Sequence, residues 1–280
     1  MGSPLVDVAW LAAHAADADV RTVDCRWYLG GKRGADAYAA GHIPGAVFAD
    51  LDRDLASPPG SGPGRHPLPS ASAFAAFLAR IGVEAATTVV AYDDAGGSIA
   101  ARLWWLLRWF GHDGGRVLDG GLQAWTAAGH ALSTEAPAVT PAAPTSLTGG
   151  HAGVVDKRAV DAARTDAKTL VLDARAKERF DGVVEPIDAR PGHVPGAVSA
   201  PFARNLVAPA GAFLDADALR ERYAALGALE ADRVIAYCGS GVTACHDLLA
   251  LTLAGRADAL LYEGSWSDWA RDPALPAARE

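Results

Sequence analysis

A chain of 280 residues with 50% hydrophobic content is long enough to form two ordinary domains, each with its own core. A formal charge of −8 argues against nucleic acid or an anionic membrane surface as the main partner. The most apolar stretch, residues 99–110, is too short to span a bilayer and contains Arg102 and Arg108, so it reads as a core helix.

In chain order the predicted elements alternate. A short β-rich run at 22–24 ends in Asp24-Cys25-Arg26 and is followed by Gly41-His42-Ile43-Pro44-Gly45-Ala46-Val47. The Gly/Pro-rich segment Gly64-Arg65-His66-Pro67-Leu68-Pro69 must be a loop. A helix is expected over 71–81, a strand over 89–92 ending at Asp93, the apolar helix over 99–110 and a strand over 116–118. Asp119-Gly120-Gly121-Leu122-Gln123-Ala124-Trp125 completes this series, and residues 133–153, rich in Pro, Ala, Thr and Gly, read as an extended linker.

The series then repeats. A strand over 170–173 runs into Asp173-Ala174-Arg175, and Gly192-His193-Val194-Pro195-Gly196-Ala197-Val198 follows. A helix over 216–226 precedes a strand over 234–237 that ends at Cys238. Next come an apolar helix over 242–253, a strand over 259–261 and Glu263-Gly264-Ser265-Trp266-Ser267-Asp268-Trp269. Matching motifs in the same order at similar separation mean a duplicated domain, and the period far exceeds that of a solenoid repeat. The expected division is a first domain over 1–135, a linker over 136–152 and a second domain over 153–280. Strands separated by helices imply an α/β fold, each copy a parallel sheet with helices on both faces. Ligands of such sheets bind beyond the carboxyl ends of the strands, and Cys238 sits at one.

Around that cysteine the chain reads Tyr237-Cys238-Gly239-Ser240-Gly241-Val242-Thr243-Ala244, a strand end turning through small residues into a helix. Gly239 and Gly241 free the backbone to curl its N–H groups inward, and the helix start adds partial positive charge. The N–H groups from Gly239 to Ala244, through Val242 and Thr243, are therefore expected to cradle a nucleophilic sulfur. The first copy has Asp93 at this position, so only the second is equipped for thiol chemistry.

These motifs resemble the tandem-domain rhodanese family, the thiosulfate and 3-mercaptopyruvate sulfurtransferases, over nearly the whole chain. Asp-x-Arg, Gly-His-[Ile/Val]-Pro-Gly-Ala and the cysteine loop appear in that family's order, and an aspartate likewise replaces the cysteine in its inactive first domain. The resemblance implies two tandem rhodanese-like domains, with a sulfane sulfur carried as a persulfide on Cys238. The sulfur would come from 3-mercaptopyruvate or thiosulfate and pass to a thiol, to cyanide or to a thioredoxin-like protein, with no metal or other cofactor. The uncharged Cys-Gly-Ser-Gly-Val-Thr loop is similar to that of mercaptopyruvate-using members; thiosulfate users usually carry basic residues there.

Both donors are anions, and Arg179 falls where the family has a substrate-binding arginine, whose planar fork suits a carboxylate or sulfonate. Relatives that use mercaptopyruvate often carry a second arginine after Glu-Pro. Here Glu185-Pro186 is followed by Ile187, and Arg190 is the candidate replacement. Asp52, His66 and Ser240 match the family's hydrolase-like triad, in which a carboxylate-held histidine relays a proton.

The remaining candidates read as structural. His42 and His193 recur in both copies and are expected in turns, while Arg26 and Arg175 are expected to pair with the strand-end aspartates. Cys245 is expected to pack in the core, and the eight tryptophans are expected in the core and between domains. Three cysteines without a Cys-x-x-Cys, and a start with Asp7 but no basic stretch, fit a cytoplasmic protein. Two other functions compete. A Cys-dependent phosphatase would need Cys-(x)₅-Arg, where position 244 is alanine, and a non-enzymatic sulfur carrier would lack turnover of a small donor.

Overall fold

The run Val-[Val/Ile]-Ala-Tyr, present in each copy, forms the middle strand of a parallel sheet. The computed structural model describes residues 2–208 and 211–280. These group into two compact units that are not continuous in sequence. The first is built from Met1–Ala56, Pro69–His151 and Leu206–Phe213; the second from Ser57–Leu68, Ala152–Asn205 and Leu214–Glu280. The sequence reading, with its single break at 136–152, does not contain the excursions 57–68 and 206–213.

In the first unit the strands are β1 (Leu5–Val6), β2 (Val20–Asp24), β3 (Val47–Phe48), β4 (Thr88–Tyr92) and β5 (Gly115–Leu118), in the order β1-β5-β4-β2-β3. Its helices are α1 (Val8–His14), α2 (Gly34–Ala40), α3 (Ala71–Arg80), α4 (Ala100–Trp109) and α5 (Gly121–Ala127). The second unit repeats the pattern with β6 (Val154–Val155), β7 (Thr169–Asp173) and β8 (Val198–Ser199). A short 3-10 turn, Phe202–Asn205, leads into the hairpin β9 (Leu206–Val207) and β10 (Ala212–Phe213), which belongs to the first unit. β11 (Arg233–Tyr237) and β12 (Leu260–Tyr262) complete the second sheet in the order β6-β12-β11-β7-β8, the same topology with every neighbouring pair parallel. Its helices are α6 (Lys157–Ala163), α7 (Lys177–Phe180), α8 (Ala216–Ala225), α9 (Ala244–Leu253) and α10 (Ser265–Trp269).

Each sheet is held by its own core: Leu11, Val90, Tyr92, Leu118 and Trp125 in the first unit, and Val171, Ile235, Tyr237, Tyr262, Trp266 and Trp269 in the second. Each fully buried apolar side chain contributes about 1.5–3 kcal/mol. The recurrent polar motifs form matching braces. Arg26 Nη2 binds Asp24 Oδ2 at 2.6 Å and the Gly41 carbonyl at 2.7 Å, and Arg175 Nη2 binds Asp173 Oδ2 and the Gly192 carbonyl at the same distances. His42 and His193 use Nδ1 on the carbonyls of Tyr38 and Phe180, so both histidines are turn fasteners, as expected.

Helix starts show where the braces end. α1, α3, α6 and α8 begin at Asp7, Ser70, Asp156 and Asp215, whose side chains accept a backbone N–H of the first turn. α4 and α9 follow the middle strands, and the residues just before them, Ile99 and Thr243, supply no such side-chain cap. Among the described residues no helix is long and apolar enough to cross a membrane.

Candidate active site

β11 delivers Cys238 at its carboxyl end, in the middle of the second sheet. The residue is 1% exposed, and its Sγ accepts the Gly241 N–H at 3.1 Å. Gly241 has φ 80°, and a Cβ there would collide with the Glu263 carbonyl oxygen, so glycine is required to bring that N–H onto the sulfur. α9 starts two residues later than the sequence suggests, at Ala244. The N–H groups of Gly239, Ser240, Val242, Thr243 and Ala244 have no acceptor among the described residues, which leaves a run of donors beside the thiol.

α10 pins the cysteine backbone. The Cys238 N–H donates to Ser265 Oγ at 3.1 Å, the Cys238 carbonyl accepts from Trp266 N at 2.9 Å, and the Gly239 carbonyl accepts from Ser267 N at 2.9 Å. Ser265 has φ 53° and is the one non-glycine residue with positive φ among the described residues. That conformation costs about 1–2 kcal/mol, and the serine hydroxyl also donates to the Tyr262 carbonyl at 2.9 Å. Sequence reasoning misses Ser265. The signal is the repeat itself, where Gly121 of the first copy, φ 57°, aligns with a serine.

Residues 57–68 bring His66 to this unit. Ser57 closes the segment on Pro67 and Leu68 at 2.9 Å each, and Leu68 N donates to Glu263 Oε2 at 3.3 Å. His66 is 9% exposed, and its Nδ1 shares a hydrogen bond of 2.8 Å with Ser240 Oγ. Two members of the expected triad are thus in contact. Asp52, the third, belongs to the first unit, where it accepts from Trp27 Nε1 at 3.0 Å and lines a cavity of about 300 Å³.

The arginines divide in an unexpected way. Arg179 is anchored by Nη2 to Glu185 Oε1 at 2.7 Å and to Asp188 Oδ2 at 3.0 Å, with Nε on Glu185 Oε2 at 3.2 Å. Burial works to raise the Glu185 carboxyl, but hydrogen bonds from Arg179 and from the N–H groups of Asp188 and Ile187 outweigh it and hold it below its ordinary value. Asp188 is raised by its own burial despite Arg65 and Arg179. Arg190 is engaged by the C-terminal backbone. Its guanidinium binds the carbonyls of Trp269, Ala270, Asp272 and Leu275 at 2.9–3.2 Å, closing the C-terminal turn.

Arg65, which the sequence reading passes over, lies against Gly239 instead. A Cβ at 239 would sit 3.0 Å from Arg65 Nη2 and 3.4 Å from Arg179 Nη1. The only sequence signal for it is adjacency to His66.

The other cysteines differ in kind. Burial and nearby Asp24 push the Cys25 thiol well up, which makes it unreactive. Cys245 is buried in the first turn of α9 with Sγ donating to the Gly241 carbonyl at 3.3 Å, so it packs as expected and also steadies the loop.

Known proteins agree with this architecture. A rhodanese-like domain matches residues 7–128 and again 156–272. A probable 3-mercaptopyruvate sulfurtransferase of Pseudomonas aeruginosa is 46% identical over 284 residues, covering 98% of this chain and 97% of that protein. A putative thiosulfate sulfurtransferase, SseB, of Mycobacterium tuberculosis is 40% identical over 280 residues, 99% of this chain and 98% of that protein. The crystal structure of SseA, a 3-mercaptopyruvate sulfurtransferase from Escherichia coli, superposes with a TM-score of 0.83 at 32% identity, covering 95% of this chain and 100% of SseA. The chain therefore belongs to the rhodanese family, as a sulfurtransferase with two rhodanese-like domains.

Proposed function

We propose that the chain takes sulfane sulfur from 3-mercaptopyruvate in preference to thiosulfate, holds it as a persulfide on Cys238 and passes it to a thiol or to cyanide. The Cys238 thiolate attacks the donor sulfur, the donor C–S bond breaks, and its electron pair leaves on carbon as the pyruvate enolate. Protonation of that carbon gives pyruvate and leaves Cys–S–SH. An acceptor thiolate then attacks the outer sulfur and regenerates the cysteine. The N–H of Gly241, at 3.1 Å from Sγ, and the donors at Ser240 and 242–244 stabilise negative charge on either sulfur.

The observation that carries the donor preference is the 2.8 Å bond between Ser240 and His66. An enolate needs a proton, and a serine hydroxyl coupled to imidazole is a group that can supply one. Sulfite leaves as a stable dianion and needs no proton, so the serine–histidine pair favours departure of the enolate over that of sulfite. Relatives include a probable 3-mercaptopyruvate and a putative thiosulfate sulfurtransferase, and the loop chemistry is what supports the first donor. In this reading Arg179 orients the donor's anionic end.

The test is kcat/KM for the two donors on one preparation, with Ser240→Ala alongside. Mercaptopyruvate should give the higher value in the parent. Ser240→Ala should slow it about a hundredfold or more, the usual scale of general-acid loss, with a smaller effect on thiosulfate. A higher value for thiosulfate, or equal loss for both donors, refutes the preference. A non-enzymatic carrier would show neither turnover, although Cys238 would still accept one sulfur by mass.

A further inference from the structure

We infer that Arg65 is a second binding group for the anionic end of the sulfur donor, acting with Arg179 across Gly239. This inference rests on the sulfurtransferase reading above. The two guanidinium groups share one carboxylate: Arg65 Nη1 is paired with Asp188 Oδ1, and Arg179 Nη2 binds Asp188 Oδ2 at 3.0 Å. Held from that side, each arginine keeps a donor nitrogen with no acceptor among the described residues, Nη2 of Arg65 and Nη1 of Arg179. Those two atoms are the ones nearest the missing side chain of Gly239, at 3.0 and 3.4 Å from where a Cβ would stand. They flank the residue next to Cys238. An oxyanion there receives one N–H from each arginine, a fork made from two side chains.

Two features argue that the placement is built in. Gly64 has φ 71° and packs so tightly on Gly264 and Ser267 that no side chain fits, and the Arg65 N–H then donates to Ser267 Oγ at 3.0 Å. The backbone of Arg65 is thereby tied to the helix that also pins Cys238. The side chains of Arg65 and Arg179 are 23% and 18% exposed, open enough to admit a solute and shielded enough for hydrogen bonds to count. The surrounding charges balance, since Arg65, Arg175 and Arg179 face Asp173, Glu185 and Asp188. Recognition by this pair is thus directional rather than a matter of net field.

The experiment compares Arg65→Gln and Arg65→Lys with the parent in two assays. Turnover should show KM for mercaptopyruvate raised about tenfold in the Gln variant with kcat within about twofold, as for loss of uniform binding. Alkylation of Cys238 by iodoacetate, an anion, should slow about tenfold relative to neutral iodoacetamide, and the Lys variant, which keeps the charge but not the fork, should fall about threefold. Unchanged KM, or both reagents slowing together because the loop has loosened, overturns the inference. If the Gln variant does not fold, the Lys variant decides by the reagent ratio alone. Alkylation needs no sulfur donor, so it reports on Arg65 even if the donor assignment itself fails.

Discussion

In the first unit the loop after the middle strand closes on a carboxylate; in the second the same loop stays open around a thiol. Asp93 Oδ1 accepts the N–H groups of Ala95 and Gly97 at 2.8 Å, and Oδ2 accepts those of Ile99 at 2.8 Å and Ala100 at 2.9 Å. Burial raises the Asp93 carboxyl above its ordinary value, and those four bonds work to lower it. The first unit carries its own anion and caps α4 with it, whereas of the matching donors in the second unit those of Ser240, Val242 and Ala244 have no acceptor among the described residues and that of Cys245 binds the Val242 carbonyl at 3.1 Å. An anion cradle is therefore a property of this fold, and chemistry comes from what occupies it. The cation differs as well: Arg179 stands four residues after Arg175, and Gly30 stands four residues after Arg26.

The sharpest way to break this contrast is to give the second loop the first loop's residue. Cys238→Asp should abolish turnover, a loss of at least about 10³-fold. It should not lower the melting temperature, because the new carboxylate collects the free N–H groups. The reciprocal Asp93→Cys should gain no sulfur transfer. A persulfide found by mass at position 93 of that variant, with turnover of either donor once Cys238 is also replaced by serine, would show that the loop alone suffices.

Next in size is the arginine. Arg179→Gln removes a charge-assisted donor worth about 2 kcal/mol, so KM should rise about thirtyfold for both donors. Iodoacetamide should alkylate Cys238 at the parental rate. Unchanged KM would place the orienting cation elsewhere and make the Gly30/Arg179 difference irrelevant to function.

Much of this is legible in the chain because the repeat spells it twice. The strands at 89–92 and 234–237 emerge as Thr88–Tyr92 and Arg233–Tyr237, since their apolar β-favouring runs end abruptly at Asp93 and Cys238. The helix expected over 71–81 is Ala71–Arg80, set by its Ser70 cap. β1, β3, β6 and β8 escape the reading, because strands of two residues carry no alternation. The contact of His66 with Ser240 is anticipated only through family resemblance, for a Gly/Pro-rich loop has no period that says which unit it joins. Arg190 is the candidate in the sequence, and Arg65 is passed over, for a similar reason. Charge and sequence proximity favour Arg190, but the last turn of the chain offers four carbonyls that bind it, and nothing local announces that.

The two helices that follow the loops also bury different ionisable groups, Arg102 in α4 and Asp247 in α9. Asp247 Oδ1 accepts from Asn205 Nδ2 at 2.7 Å, and Oδ2 has no partner among the described residues. Burial pushes this carboxyl up to about 7, against the lowering effect of Asn205 and Arg222. The folded protein thus keeps a proton that the unfolded chain releases near its ordinary value of about 4. Stabilisation from this group is complete below about pH 4 and is lost as pH rises through about 7. Urea unfolding across that range should show stability declining with pH in the parent more steeply than in Asp247→Asn. Equal slopes would mean that the carboxyl is already ionised at about pH 5, with Arg222 and Asn205 satisfying it.

The smallest expected effect tests whether the loops differ in their support as well as their occupant. Ser265 and Gly121 occupy the same place in the repeat with nearly the same backbone, φ 53° and 57°. The serine accepts the strain in return for two hydrogen bonds, to the Cys238 N–H at 3.1 Å and the Tyr262 carbonyl at 2.9 Å. Relief of about 1–2 kcal/mol of strain offsets half or more of the loss of two hydrogen bonds at about 1 kcal/mol each, so Ser265→Gly should cost no more than about 1 kcal/mol. Ser265→Ala keeps the strain and loses both bonds, and should cost about 2 kcal/mol. In the first unit Gly121→Ser should be worse than either, because a Cβ at 121 would collide with the Asp93 carbonyl oxygen. Denaturant midpoints for the three variants give the order directly. If Gly121→Ser proves as mild as Ser265→Gly, the two supports are interchangeable, and only the residue held above them separates the inert copy from the active one.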